Sequence, residues 1–143
     1  MTVAVIDSNI LIDYKDTSPG TRHERAERII YAIDSGDLPT ARVTNYVLLE
    51  SLNWIHERQR HEIAEDLKRR LADSAGFELV HCAQKDFTNA TELFETYTNL
   101  SFGDATIAAY MRRTDIEYLY SFDDNFDEIE GITRLETPHN PFN

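Results

Sequence analysis

Short apolar segments alternate with helix-like segments along the whole chain, and this alternation limits the fold more than any other feature. The predicted strands are apolar runs near residues 2–6, 41–43, 77–82, 117–122 and 132–136. The predicted helices cover about 21–35, 44–60, 62–75, 85–97 and 103–113. Strands separated by helices pair in parallel, and helices then flank the sheet on both faces. We therefore predict an α/β fold with a parallel sheet of about five strands, whose ligands bind beyond the carboxyl ends of the strands.

Length and composition indicate a compact protein of one domain. The chain has 143 residues, of which 41% are hydrophobic, and this is enough to bury a core. No apolar run approaches the roughly 20 residues that span a bilayer. The N-terminal MTVAVIDSN lacks the basic lead of a signal peptide, so we predict a cytoplasmic location. Cys82 is the single cysteine, which excludes an internal disulfide and a thiolate zinc cage.

The charge balance is acidic and argues against binding to nucleic acid. The net charge is −12, with 26 acids against 14 bases. Three lysines accompany eleven arginines, and the acids are spread along the chain, a pattern that also fits adaptation to salt. The bases gather in three clusters, at residues 22–28, 56–61 and 68–70. We interpret these clusters as solvated helix faces paired with nearby glutamates.

Two acids follow predicted strands directly. Asp7 comes after the first strand, and Asp123 follows the apolar residues of the fourth. Because the carboxyl ends of parallel strands lie at one edge of a sheet, these two carboxylates should lie close together if their strands are neighbours.

Two more acids lie on predicted helices with apolar surroundings. Asp104 opens the helix in SFGDATIAAYM, and Glu50 lies between Tyr46 and Trp54 in another helix. Each acid alone has an ordinary structural explanation, as a helix cap, a turn former or a solvated residue. Together the four suggest one divalent cation site, because a carboxylate in an apolar frame needs a positive partner. In the absence of thiolates, oxygen ligands favour Mg²⁺ or Mn²⁺.

Four segments, in this order, resemble the successive motifs of the PIN domain, and among PIN domains the chain is most similar to the VapC-type toxins. They are AVIDSNIL at 4–11, the isolated glutamate of TNYVLLES, LSFGDATIAAY at 100–110 and YLYSFDDNFD at 118–127. The resemblance implies a single PIN-like domain over residues 1–143, with a three-layer sandwich. It also implies an endoribonuclease, the toxin of a type II toxin/antitoxin pair, acting on an RNA such as tRNA or rRNA.

The same resemblance assigns roles to individual residues. Asp7, Glu50, Asp104 and Asp123 correspond to the acidic quartet that binds Mg²⁺ or Mn²⁺, and Asp123 is preferred over Asp124. The residues that would line the same pocket are Ser8, Asn9, Ser121 and Asp127. Asp127 either reaches the metal through water or caps the next turn, and the turn is favoured. The implied partners are a second copy of the chain and a small antitoxin, for which an apolar groove on the helices of 44–75 would be the docking site.

Other functions fit less well or stay open. A haloacid dehalogenase-type phosphatase needs a second aspartate at the position that Asn9 occupies. A receiver domain needs a lysine late in the chain, and no lysine follows Asp104. Two alternatives remain within the PIN-like fold: an RNA-processing nuclease outside a toxin system, and an inactive adaptor that binds proteins.

Overall fold

The computed structural model describes residues 2–143 and contains one five-stranded parallel sheet flanked by six α-helices. The strands are β1 (Val3–Ile6), β2 (Thr40–Thr44), β3 (Phe77–Val80), β4 (Tyr118–Tyr120) and β5 (Thr133–Leu135). Their order across the sheet is β3-β2-β1-β4-β5, and every neighbouring pair is parallel. The predicted α/β fold with a parallel sheet of five strands is confirmed.

The helices connect the strands as the alternation predicted, with one omission. They are α1 (Ser8–Lys15), α2 (His23–Ser35), α3 (Asn45–Arg58), α4 (His61–Asp73), α5 (Gln84–Thr96) and α6 (Phe102–Thr114). Helix α1 was not predicted from the sequence. It has eight residues, and Asp7 is the single residue between it and β1. A short 3₁₀ helix, Asp124–Glu128, was also missed. Both elements are too short for a helical period to stand out.

The core lies on both sides of β1, which occupies the middle of the sheet. Ala4, Val5 and Ile6 are completely buried, as expected of a central strand covered on both faces. Helix α6 is buried along 105–111, directly after the residue Asp104 in its first turn. Among residues 2–143, no helix is long and apolar enough to cross a membrane.

Gly76, just before β3, has no space for a side chain. A Cβ there would overlap the carbonyl oxygen of Ile33 and lie 2.8 Å from its carbonyl carbon. Both atoms belong to the backbone, so no rotamer change relieves the overlap. We expect Gly76→Ala to lower the free energy of unfolding by about 2 to 3 kcal/mol in urea titrations.

The matched control for that substitution is Gly103→Ala. Its Cβ would meet nothing closer than 3.4 Å, and the position is helical, so stability should not fall. Equal stability of Gly76→Ala and wild type would contradict the close packing of Gly76 on α2.

Candidate functional site

Asp7 and Asp123 meet at the carboxyl edge of the sheet through one buried hydroxyl. Strands β1 and β4 are neighbours, with Ile6 opposite Tyr120. The Ser121 hydroxyl donates a hydrogen bond of 2.7 Å to Asp7 Oδ2 and accepts one of 3.0 Å from the Asp123 N–H. The predicted proximity of Asp7 and Asp123 is confirmed, and Ser121 is the residue that joins them.

Ser8 joins Asp7 to Glu50 on the other side. The Ser8 N–H donates to Asp7 Oδ1 at 2.7 Å, and the Ser8 hydroxyl donates to Glu50 Oε1. Glu50 lies on α3 and is exposed, and its Oε2 would be 3.4 Å from a Cβ at Gly103. Glu50 therefore lies between the start of α1 and the first turn of α6.

Asp104 is half-buried in the first turn of α6 and takes part in the N-terminal cap of this helix. Its N–H donates to the Ser101 hydroxyl at 3.1 Å, and its carboxylate accepts the Ser101 N–H at 3.4 Å. This reciprocal pair is a capping box. Ser101 was not among the predicted residues, although a serine three residues before an acid is the usual sign of such a cap. Ser101, and not Asp104, is therefore the N-cap, and Asp104 contributes to the cap as its third helical residue.

Burial and mutual repulsion raise the pKa of two carboxyl groups of the site. Burial raises the pKa of Asp7 to about 6, and the charges of Glu50 and Asp123 add to the rise. Burial also raises the pKa of Asp104 to about 7, together with the charges of Asp7 and Asp123. Over the described part of the chain, no Lys, Arg or His nitrogen lies within 4.0 Å of the four carboxylates. The negative charge of the site is thus left without a protein counter-charge.

The donor set fits a hard divalent cation, although the side chains are not arranged around one. Within residues 2–143, no group of three His, Cys, Asp or Glu side chains is placed to hold a metal ion. Each carboxylate of the quartet instead accepts a hydrogen bond from a backbone N–H or a serine hydroxyl. All four offer only oxygen, and Mg²⁺ and Mn²⁺ prefer such ligands.

The remaining predicted residues divide into two groups. Asn9 belongs to the site, because its Nδ2 donates to Ser121 Oγ at 3.4 Å and its Oδ1 accepts the Phe122 N–H at 3.3 Å. Asp127 pairs with Arg134 through two hydrogen bonds of 2.9 and 3.1 Å, a partner that the sequence did not indicate. Arg134 also donates to the carbonyl oxygen of Ser121 at 3.2 Å, so this ion pair braces the end of β4.

An apolar groove opens beside the site, between α3 and α6. Its volume is about 450 Å³. The apolar side chains that line it are Tyr46, Leu49, Trp54 and Phe102, and Glu50 and Gly103 lie at its edge. The sequence analysis expected a groove within 44–75, but α4 contributes none of the lining residues described. Its apolar residues Ala64, Leu67 and Leu71 are buried in the core instead.

Without metal, the stability of the protein should depend on the protons of Asp7 and Asp104. Both groups bind protons more tightly in the folded chain than an ordinary aspartate does, because burial raises their pKa values. Their contribution to stability is therefore fully present below about pH 4 and is lost as the pH rises through 6 to 7, with a slope of about 1.4 kcal/mol per pH unit for one group. Wild type should lose more stability than Asp7→Asn/Asp104→Asn between pH 5 and pH 8 in urea titrations with chelator. Parallel pH profiles would contradict the raised pKa values.

Comparisons with known proteins agree with this fold. A family model described as the PIN domain matches residues 4–132. The fold is similar to that of VapC20 from Mycobacterium tuberculosis, a sarcin-ricin loop cleaving toxin, with a TM-score of 0.73 and 23% identity over 87% of this chain and 92% of that one. It is also similar to VapBC2 from Rickettsia felis bound to a promoter DNA fragment, with a TM-score of 0.70 and 14% identity over 93% and 97% of the two chains.

A third similar structure is DNA-bound VapBC from Salmonella typhimurium, with a TM-score of 0.66 and 16% identity over 94% of this chain and 98% of that one. No curated protein matches the chain in sequence. At these identities the solved structures establish a shared fold.

Proposed function

The chain belongs to the PIN domain family, and on that premise we propose that it is a divalent-metal-dependent endoribonuclease, the toxin of a type II toxin/antitoxin pair. The observation that carries the proposal is the convergence of Asp7, Glu50, Asp104 and Asp123 at one edge of the sheet without a protein cation. Phosphodiester hydrolysis by metal-activated water needs such a set of carboxylates and needs no protein nucleophile.

In this proposal the four acids would hold Mg²⁺ or Mn²⁺. Ser8, Ser101 and Ser121 hydrogen-bond to the acids, and Asn9 hydrogen-bonds to Ser121. Such an ion makes a water nucleophilic near neutral pH and stabilises the charge on the leaving oxygen. Asp7 is held by Ser8 and Ser121, so its carboxylate direction is set before any ligand arrives. Glu50, the exposed acid, is the one best placed to orient the attacking water, because it lies at the open side of the site.

The test is RNA cleavage by the purified full chain with Mg²⁺ or Mn²⁺ and with chelator. The proposal expects cleavage that stops in chelator and resumes when metal is restored. Absence of cleavage on any RNA with any metal would favour the inactive adaptor. Cleavage without an antitoxin gene beside the reading frame would favour an RNA-processing nuclease.

The apolar groove between α3 and α6 is our candidate site for the antitoxin. Leu49, 57% exposed, lies on one wall, and Glu50 and Gly103 lie at its edge. An apolar peptide in this groove would therefore also reach the acids. Two of the similar structures are VapBC complexes with DNA, which supports an antitoxin as the partner. A homodimer belongs to the same proposal, and sedimentation would then report twice the 16.5 kDa of one chain.

We expect Leu49→Asp to weaken binding of the product of the adjacent short reading frame by at least tenfold. An aspartate in an apolar contact would have to be desolvated without a partner. Isothermal titration calorimetry measures the loss. Leu79→Asp is the matched control, since Leu79 is also exposed but lies on β3 and not in the groove. Equal weakening by both substitutions would contradict the assignment of the groove.

A further inference from the structure

The arginines of residues 22–28 are solvated, as the sequence indicated, but they are not paired with the glutamates of the same helix. His23 forms the helical pair with Glu27, at 3.5 Å, whereas Arg22 pairs with Asp13 at 2.9 Å. Arg25 and Arg28 are exposed, and within residues 2–143 neither has a carboxylate oxygen within 4.0 Å. These two guanidinium groups are therefore available to a ligand.

Two arginines of the cluster at residues 22–28 stack on the aromatic ring of Phe122, which precedes Asp123 in the chain. The guanidinium carbon of Arg22 lies 4.6 Å from the ring centroid of Phe122, and that of Arg25 lies 5.5 Å from it. Phe122 stands in the chain between Ser121 and Asp123, and its N–H donates to Asn9. Cation–π stacking thus holds two positive groups on the residue that precedes Asp123, without pairing them to an acid of the site.

The same residues border an open concavity with hydroxyl groups. Its volume is about 490 Å³. Three arginines, three hydroxyl residues and His23 line it together with one acid, Glu24. Guanidinium groups bind phosphate with two parallel hydrogen bonds, and hydroxyls add further donors. The chemistry of this surface is that of a phosphate contact.

Local charge also sets this segment apart from the rest of the chain. Three arginines and two glutamates give residues 22–28 a net charge of +1, in a chain whose total is −12. Binding to a polyanion by so acidic a protein requires local positive groups close to the reacting phosphate. Arg22 and Arg25 supply such groups, because they stack on Phe122, the residue that precedes Asp123 in the chain.

We propose that Arg25 and Arg28 bind a backbone phosphate of the RNA strand next to the one that is cleaved, with Arg22 and Phe122 as their anchor. The inference rests on the proposed ribonuclease function. The two arginines are positioning residues: they hold the strand and do not touch the reacting atoms. Arg22 is not substituted in the test, because its removal would leave the buried Asp13 without its ion-pair partner.

The experiment compares Arg25→Ala/Arg28→Ala with Arg112→Ala. Arg112 is also exposed and unpaired in the described chain, but it lies in the last turn of α6, eight residues or about 12 Å from Asp104. For the double variant, we expect KM for RNA to rise at least tenfold with little change in kcat, and Arg112→Ala to match wild type. Phe122→Leu, which keeps an apolar side chain but removes the ring, should give part of the same effect.

A binding measurement separates this inference from catalysis. In an Asp104→Asn background, the affinity for a labelled single-stranded RNA is measured by fluorescence anisotropy against salt concentration. Loss of the one phosphate contact that the two arginines share should reduce the slope of log K against log salt by about 0.7. Unchanged KM and slope, with metal-dependent cleavage intact, would overturn the inference and leave the proposed function standing.

Two further outcomes are also decisive. If the double variant binds RNA normally but no longer binds the product of the adjacent reading frame, the surface belongs to a protein partner and the inference is wrong. If the wild-type chain cleaves no RNA with any metal, the proposed function itself has failed.

Discussion

Asp7→Asn and Asp104→Asn are each expected to reduce RNA cleavage by at least about 100-fold while the protein stays folded. Loss of a group that only supports a metal ligand costs about 10- to 100-fold, and loss of a ligand should cost more. Asparagine keeps the shape of each side chain and can still accept the backbone hydrogen bond. Because it also removes a charge that repels its neighbours, the metal-free variants should be at least as stable as wild type.

The matched control is Asp124→Asn. Asp124 is the neighbour of Asp123 in the chain, but it is exposed and lies in the 3₁₀ helix beyond the site. Its substitution should leave the rate of cleavage within about twofold of wild type, as ordinary surface changes do. A loss as large as that in Asp7→Asn would mean that Asp124, and not Asp123, completes the quartet. Full activity of Asp104→Asn would remove Asp104 from it.

Arg113→Ala is expected to destabilise the protein by about 3 kcal/mol, which corresponds to a fall in Tm of roughly 10 °C. Asp86 is completely buried, and its two oxygens accept hydrogen bonds of 2.7 and 3.0 Å from Arg113. Removal of the guanidinium leaves a buried charge whose remaining contact is the Ala83 N–H. Since this pair joins α5 to α6, it also holds the helix that carries Asp104.

Two companion variants show whether the effect comes from the unpaired charge. Arg112→Ala, one residue away and without an ion pair in the described chain, should change stability by less than about 0.5 kcal/mol. Asp86→Ala/Arg113→Ala should be less damaging than the sum of its single substitutions, because the double variant has no buried charge. Equal melting temperatures for Arg113→Ala and Arg112→Ala would show that water solvates Asp86 in the absence of its partner.

The features that could be predicted from the sequence are those set by the ends of strands and by long helices with a clear apolar period. Asp7 and Asp123 could be brought together in advance because parallel strands end at one edge. Asp104 could be assigned to the start of a buried helix because apolar residues follow it at helical spacing. These inferences need only local pattern and fold class.

The features that were not predicted depend on tertiary contacts, which leave no pattern in the local sequence. Ser8 contacts Glu50 across 42 positions, and Arg113 contacts Asp86 across 27, so neither pair could be chosen among the many polar residues. The basic cluster at 22–28 was assigned to paired helix faces for the same reason. Its helical spacing was read correctly, but the stacking of Arg22 and Arg25 on Phe122 joins residues about 100 positions apart and follows from the tertiary fold.

The most direct test of the shared cation site is the effect of metal on thermal unfolding. The melting temperature of wild type should rise on addition of Mn²⁺ or Mg²⁺, since saturation to 100 times the Kd stabilises a folded protein by about 2.7 kcal/mol. Asp7→Asn and Asp104→Asn should show a much smaller rise, and Asp124→Asn should behave as wild type. An equal rise in all four proteins would contradict the claim that these carboxylates hold one metal centre.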